Sequence, residues 1–243
     1  MPEQELWLTK LLNDHLAGLA NAILSLVRLP AEPRPWTNWL SMELLVIAVL
    51  VLLVAFVRSR LSVDKPGATQ HIFELIYGFV EMTMDEVGLH HGERYMPFFG
   101  TLFIFILFMN LFGIIPGLQA PTMYIYVTLG LAVATFIYYN FHGVRELGLF
   151  GYLKQFLGPV WWLVWLMIPL ELISHLARVL SLSVRLYANM FAGDQVTGAF
   201  MALTKVVAPV IFMCLHIFVG LLQAYIFMIL AIIYVNIATS HEH

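Results

Sequence analysis

From residue 39 onward, long apolar runs alternate with short polar breaks, and most of the runs are long enough to cross a bilayer. Trp39 to Val57 is apolar apart from Ser41 and Glu43. At a rise of ~1.5 Å per residue it spans a hydrocarbon core of ~30 Å. Trp36 and Trp39 stand at one end as interfacial anchors, and Arg58 and Arg60 stop the run at the other. A second run, 96–115, carries Pro97 in its first turn and ends at Pro116-Gly117. The third, 122–141, is led by Pro121 and closed by His142-Gly143, after which Arg145, Glu146 and Lys154 read as a short polar loop. The last two runs, 160–191 and 206–238, exceed one perpendicular crossing and so must tilt steeply or, in the first case, bend at Pro169.

Two further stretches are amphipathic rather than apolar. Leu8, Leu11, Leu12, Leu16, Leu19 and Ile23 recur at helical spacing, so residues 4–28 are expected to form a helix on the membrane surface. Residues 1–35 are accordingly set apart as surface helix and linker, and 36–243 as the membrane domain. In 69–87, Ile72, Phe73, Ile76, Phe79 and Val80 oppose Glu74, Glu81 and Asp85, which predicts an interfacial helix. The expected fold is therefore all-α integral membrane. It has about five membrane-embedded helical units, the last two long and steeply tilted, plus N-terminal and interfacial amphipathic helices.

The charges inside the fourth run change the picture. Residues 169–194 read PLELISHLARVLSLSVRLYANMFAGD. At ~100° per residue, Glu171, Ser174, Arg178, Ser181, Arg185 and Asn189 fall within roughly 80° of one another, a polar stripe on a greasy helix. Asp194 lies about half a turn round from Arg185 and faces the other way. His175 sits about 80° off the stripe and reads as a packing or hydrogen-bonding residue. In the fifth run, His216, Gly220 and Gln223 share one face. Charges at membrane depth are costly and mark ion or proton paths.

Arg185 cannot lose its proton, so it can block a proton path but not relay one. It can also force a nearby carboxyl group to ionise, because an opposite charge within ~4–6 Å lowers that group's pKa by ~1–3 units. Glu171 lies about 21 Å from it along the helix axis. Asp194 lies on its other side in sequence. Two polar half-paths separated by a permanent cation is the physical reading. Two alternatives stand beside it: a secondary transporter whose buried arginine binds an anionic substrate, and a scaffold in which the charges pair between helices. Arg178, where its side chain can snorkel, reads as structural pairing. A single Asn110 deep in a span reads as a bond to a neighbouring helix. His216 taken alone would read as a core histidine.

Composition narrows the class. Of 243 residues, 61% are hydrophobic and 11% charged, against about 45–50% and ~25% in soluble domains. The net charge of −3 carries no basic patch, so nucleic acid is excluded as a partner. A lone Cys214 excludes a disulfide framework. No phosphate-binding glycine loop, cofactor motif or spaced metal-ligand set occurs, and the adjacent His90 and His91 read as solvated loop residues. Lys/Arg counts between the runs favour an external N-terminus and a cytoplasmic C-terminus.

The segments RLYANMFAGD (185–194) and HIFVGLLQAYIFMIL (216–230) resemble the signature of subunit a of the F-type ATP synthase. PLELISHLARVLSLSVRL, MNLFGIIPG and PTMYIYVTL resemble neighbouring parts of that family, so the likeness covers the chain from about Trp39 onward. The resemblance implies a stationary, non-catalytic subunit with no nucleotide site or cofactor. It would work in a bacterial inner membrane against the rotating c-ring, with the peripheral-stalk b subunit and lipid as its other partners. It implies that Arg185 faces the ring carboxylate and separates two half-channels. Asn189, Asp194, His216 and Gln223 match positions of the external half-channel. Glu171 and Ser174 match positions on the cytoplasmic side, with Ser181 on the stripe between. One departure stands out. The family commonly carries an acid and an asparagine where this chain has Tyr124 and Tyr126. The missing acid leaves that part of the path to Asp194 and His216, or to a Glu or His of the N-terminal helix.

Overall fold

A computed structural model of the chain describes residues 5–26, 30, 32–62, 67–89, 92–115, 117–157, 164–203 and 207–239. Among the described residues every regular element is a helix. These are α1 (Trp7–Leu26), α2 (Asn38–Ser59), α3 (Ala68–Val87), α4 (Met96–Phe112), α5 (Ile125–Leu157), α6 (Val164–Leu203) and α7 (Val207–Thr239). Single turns of 3-10 helix, Gly92–Arg94 and Pro121–Met123, precede α4 and α5. The His90–His91 pair, Asp64 to Pro66, Trp161, Trp162, Lys205 and the tail from Ser240 lie outside the described residues.

Asn38–Ser59, Ile125–Gly148, Val164–Phe200 and Val210–Thr239 are each long and apolar enough to cross a membrane, and Met96–Phe112 is a shorter apolar helix. Their outer faces stay greasy: Val51 is 61% exposed, Leu52 69% and Ile173 61%. Burying such faces requires lipid or a partner rather than water. The chain is an all-α, multi-pass membrane protein.

Two expected boundaries move. His142-Gly143 does not close the third span. Both residues are helical, and α5 carries Arg145 and Glu146 on the same helix before Gly148 breaks it with φ 72° and ψ 162°. Gly143 looked like a stop, but it serves close packing instead. A Cβ there would lie 2.6 Å from the Tyr152 ring and 3.0 Å from the Ala238 carbonyl oxygen. Glu146 pairs with Arg94, which gives a charge in the supposed loop a fixed partner. The fourth run also continues past Phe191, because α6 proceeds through Leu203 with Pro169 inside it. Beyond Asp194 the segment is small and polar enough to lose its apolar periodicity without losing its helix.

The core lies where α4, α5, α6 and α7 meet. Ile106, Met109, Leu186, Met190, Phe227, Met228 and Ile232 are fully buried there. Small residues let the backbones close: Ala224 and Ala231 are buried, and a Cβ on Gly220 would stand 3.2 Å from the Asn110 Cβ. Asn110 locks this junction. Its Nδ2 donates to the Gly220 carbonyl at 2.9 Å, and its Oδ1 accepts from the Thr122 hydroxyl at 2.8 Å. One side chain thus ties α4, α7 and the turn before α5. Asn110→Leu should lower the detergent melting temperature of the purified complex. Each intramembrane bond contributes roughly 0.6–2 kcal/mol, so the expected loss for the two is about 1–4 kcal/mol. An unchanged melting temperature would show the bonds to be dispensable.

The N-terminal segment is tied down by side-chain bonds to the linker. Asn13 donates to the Trp36 carbonyl at 3.1 Å and accepts from the Trp36 N–H at 3.0 Å. Asn21 clamps Glu32 in the same reciprocal way, at 3.0 and 3.1 Å. The Trp36 indole N–H donates to the Leu16 carbonyl, and the Leu6 N–H donates to Asn38 Oδ1 at 3.2 Å. These bonds hold the start of α1 beside the start of α2.

Candidate functional site

The polar residues of α6 sort into three groups along its length. At the end of the bundle nearer α3, Glu171 Oε1 lies 3.4 Å from His175 Nε2 and 3.9 Å from Arg178 Nη2. The His175 Nδ1 pairs with the Tyr139 hydroxyl at 2.7 Å, and the two rings stack. Arg178 also stands over the Tyr234 ring at 5.5 Å. His175 is thus a buried hydrogen-bonding residue, and Arg178 is paired with an acid and an aromatic face. Ser174 is half-buried, three residues from Glu171 on the same face.

Arg185 occupies the middle. Its Nη2 donates to the Ser181 hydroxyl one turn away at 3.3 Å, and both side chains are exposed. No carboxylate pairs with it among the described residues. The stripe it shares with Ser181 and Asn189 is exposed, while Leu176, Leu180 and Val184 lie open on other sides of α6. A permanent cation in a helix of membrane-spanning length thus has no acid partner among the described residues.

The third group sits towards the α1 end. Asn189 Nδ2 donates to Gln223 Oε1 at 2.7 Å, joining α6 to α7. Gln223 is buried. Further along, His216 of α7 packs onto the bare backbone of Gly193, where an added Cβ would come 2.5 Å from its Nδ1. The ring therefore lies beside Asp194. Its Nε2 is buried and has no hydrogen-bond partner among the described residues. Asp194 is half-buried and, with Tyr187 and Phe191, forms one wall of a cavity of about 590 Å³. Glu5, Leu6, Trp7, Tyr124 and Tyr126 also line it.

The half-turn offset of Asp194 thereby acquires a structural meaning. Arg185 points outward from the chain, while Asp194 points into a cavity on the other side of α6. Carboxylate, imidazole and carboxamide groups can bind water or pass protons, and a guanidinium cannot give its proton up. The tertiary structure brings together Asn189 with Gln223, Asp194 with His216, and Arg185 with Ser181. It separates all of these from the Glu171 group. Four contributors were invisible in the sequence pattern: Tyr139, Gly193, Tyr187 and Glu5. Gly193 alone had a local signal, being the glycine before an acid in a helix.

Comparison with known proteins agrees with this picture. The family model described as ATP synthase A chain matches residues 40–236. The ATP synthase subunit a of Solibacter usitatus is 54% identical over 231 residues, covering 95% of this chain and 99% of the relative. That of Koribacter versatilis is 50% identical over the full length of both chains. That of Sulfurimonas denitrificans is 40% identical over 200 residues, covering 82% of this chain and 89% of the relative. With the membrane-spanning helices, the arginine-bearing α6 and these matches in agreement, the chain belongs to the subunit a family of the F-type ATP synthase.

Proposed function

We propose that this chain is the stationary proton-translocating subunit of a rotary F-type ATP synthase in a bacterial inner membrane. It offers two offset half-channels to the c-ring, and Arg185 separates them. Protons enter at the α1 end through the cavity beside Asp194, pass His216 and the Asn189–Gln223 pair, and neutralise a ring carboxylate. They leave on the Glu171 and Ser174 side after the ring has turned. Ser181 steadies the guanidinium between the two. A b subunit of the peripheral stalk would hold the chain still, and ATP chemistry would take place on other subunits.

The observation that carries this reading is Arg185, exposed on a helix of membrane-spanning length with no carboxylate paired to it among the described residues. Lipid would impose a cost of ~2.5–3.5 kcal/mol or more on that charge. A partner helix presenting a carboxylate would remove the cost. An anionic-substrate transporter would instead need the arginine in a cavity, and Arg185 is not among the residues lining the one at the α1 end.

Disulfide cross-linking tests the partner. Val184→Cys and Ala188→Cys lie on the exposed face of α6, and the native Cys214 is exposed and would first be changed to alanine. Each is expected to form a disulfide with a cysteine placed beside the carboxylate of the ring subunit. Leu186→Cys, on the buried face, should not. If both exposed positions stay uncoupled from the ring in assembled complexes, that face does not meet the ring and the reading fails.

A further inference from the structure

The cavity at the α1 end has an acidic wall that the family resemblance does not supply. Glu5 lines it along with Asp194, Gln119, Tyr124 and Gln195. Glu5 precedes α1, in a part of the chain outside the family-model match. Bonds of its neighbours hold it beside the start of α2. The Leu6 N–H bonds to Asn38 Oδ1, and Asn13 clamps Trp36, so the segment cannot swing away without breaking bonds to the start of α2. The Glu5 carboxylate also meets the Arg34 guanidinium at 2.8 Å, with the arginine more exposed than the acid. The tyrosine where the family carries an acid is spent locally, because the Tyr124 hydroxyl donates to Gln119 Oε1 at 2.9 Å.

We propose that Glu5 is the outer carboxylate of the proton inlet, the group that takes up protons or hydronium from the external water ahead of Asp194. Three features support this. The cavity is large enough to hold several waters, at about 590 Å³ against the ~30 Å³ that a water molecule occupies in the liquid. Two carboxylates, Glu5 and Asp194, line it. Arg34 meets only the Oε2 of Glu5, so Oε1 is left to accept from water. An acid delivered by the N-terminal segment thus takes the place left by Tyr124. The proposal rests on the half-channel reading above and names a group that reading lacks.

The test is passive proton conduction through the assembled membrane sector in vesicles, driven by a potassium diffusion potential, with assembly checked by blotting. Glu5→Gln keeps the shape and loses the ionisable oxygen. It is expected to slow conduction roughly a hundredfold, the low end for removing a positioned proton-transfer group. Arg34→Gln removes the partner and keeps the acid, so conduction should stay near that of the parent. Glu5→Cys in a Cys214→Ala background adds a sign-sensitive readout. An externally added anionic methanethiosulfonate should restore part of the conduction, and a cationic one should not. Asp194→Asn serves as the reference for the half-channel itself. If Asp194→Asn slows conduction and Glu5→Gln does not, protons bypass Glu5 and the proposal falls while the half-channel reading stands. If neither slows it, the half-channel reading falls as well. If Arg34→Gln is as harmful as Glu5→Gln, the pair is a structural clamp and the proposal is overturned.

Discussion

Arg185→Ala is expected to reduce ATP-driven proton pumping and proton-driven ATP synthesis to background in an otherwise assembled complex. Arg185 has no acid of its own chain to neutralise it among the described residues, and its one bond is to the Ser181 hydroxyl. Its charge is therefore free to act on a carboxylate brought to the exposed face of α6. A fixed cation at ~4–6 Å lowers a carboxyl pKa by ~1–3 units, so its loss slows proton release from that site by about 10- to 1,000-fold. On the proposed reading the same change also removes the barrier between the two polar groups of α6, since alanine cannot hold a permanent positive charge there. Passive proton leak should thus persist or rise while coupling is lost. Arg185→Lys should rescue only in part, because an ammonium lacks the planar fork and can deprotonate when desolvated. Pumping quenches a pH-sensitive dye in inverted vesicles, and near-normal quenching by the alanine variant would sink the assignment.

Gly193→Val is expected to give the second-largest loss. The backbone of Gly193 is in contact with the His216 ring, and even the Cβ of alanine would come 2.5 Å from Nδ1. A branched side chain must push the imidazole, and α7 with it, away from α6. Such overpacking costs ~1–3 kcal/mol in stability. It also moves His216 from Asp194 and strains the Asn189–Gln223 bond two turns further along α7. Proton conduction should fall accordingly, with a smaller fall for Gly193→Ala. The mechanism predicts non-additivity, because contacting residues share one term. In a His216→Ala background, Gly193→Ala should cost little more, since the ring it clashes with is gone. A double variant whose losses simply multiply would show that Gly193 matters for some reason other than His216.

Much of the architecture was legible without coordinates, and the reasons are particular. A bilayer forces spanning segments to be helical and apolar for a minimum length, so the runs beginning at Trp39 and Val206 announced α2 and α7 almost to the residue. Helical periodicity aligned Arg185 with Ser181 and turned Asp194 to the opposite side, and both relations hold in three dimensions. The failures are also instructive. Gly143 and the charges after it looked like a helix end because glycine and arginine are poor company inside a span. Only the packing of Tyr152 and the Arg94–Glu146 pair explain why α5 continues. The end of α6 was set too early because helix propensity without apolar periodicity leaves little trace. Glu5 could not be placed, since its position depends on asparagine clamps between α1 and the linker, and such bonds have no sequence period.

The sequence by itself determined that this chain lives in a membrane, that its helices cross it several times, and that one of them carries an arginine with polar residues on both sides. Those properties are local: apolar length, helical pitch and the fixed charge of a guanidinium are set residue by residue along one strand of chain. The tertiary structure alone decided which groups share a site. It joined Asn189 to Gln223, laid His216 on Gly193, and closed a cavity between Asp194 and the chain's first described residues. It also left Arg185 exposed, bonded to Ser181 but with no acid partner among the described residues. These outcomes depend on how helices far apart in sequence approach one another. That approach is set by small residues such as Gly193 and Gly220 and by buried bonds such as those of Asn110, whose effect appears only when the opposing helix is present.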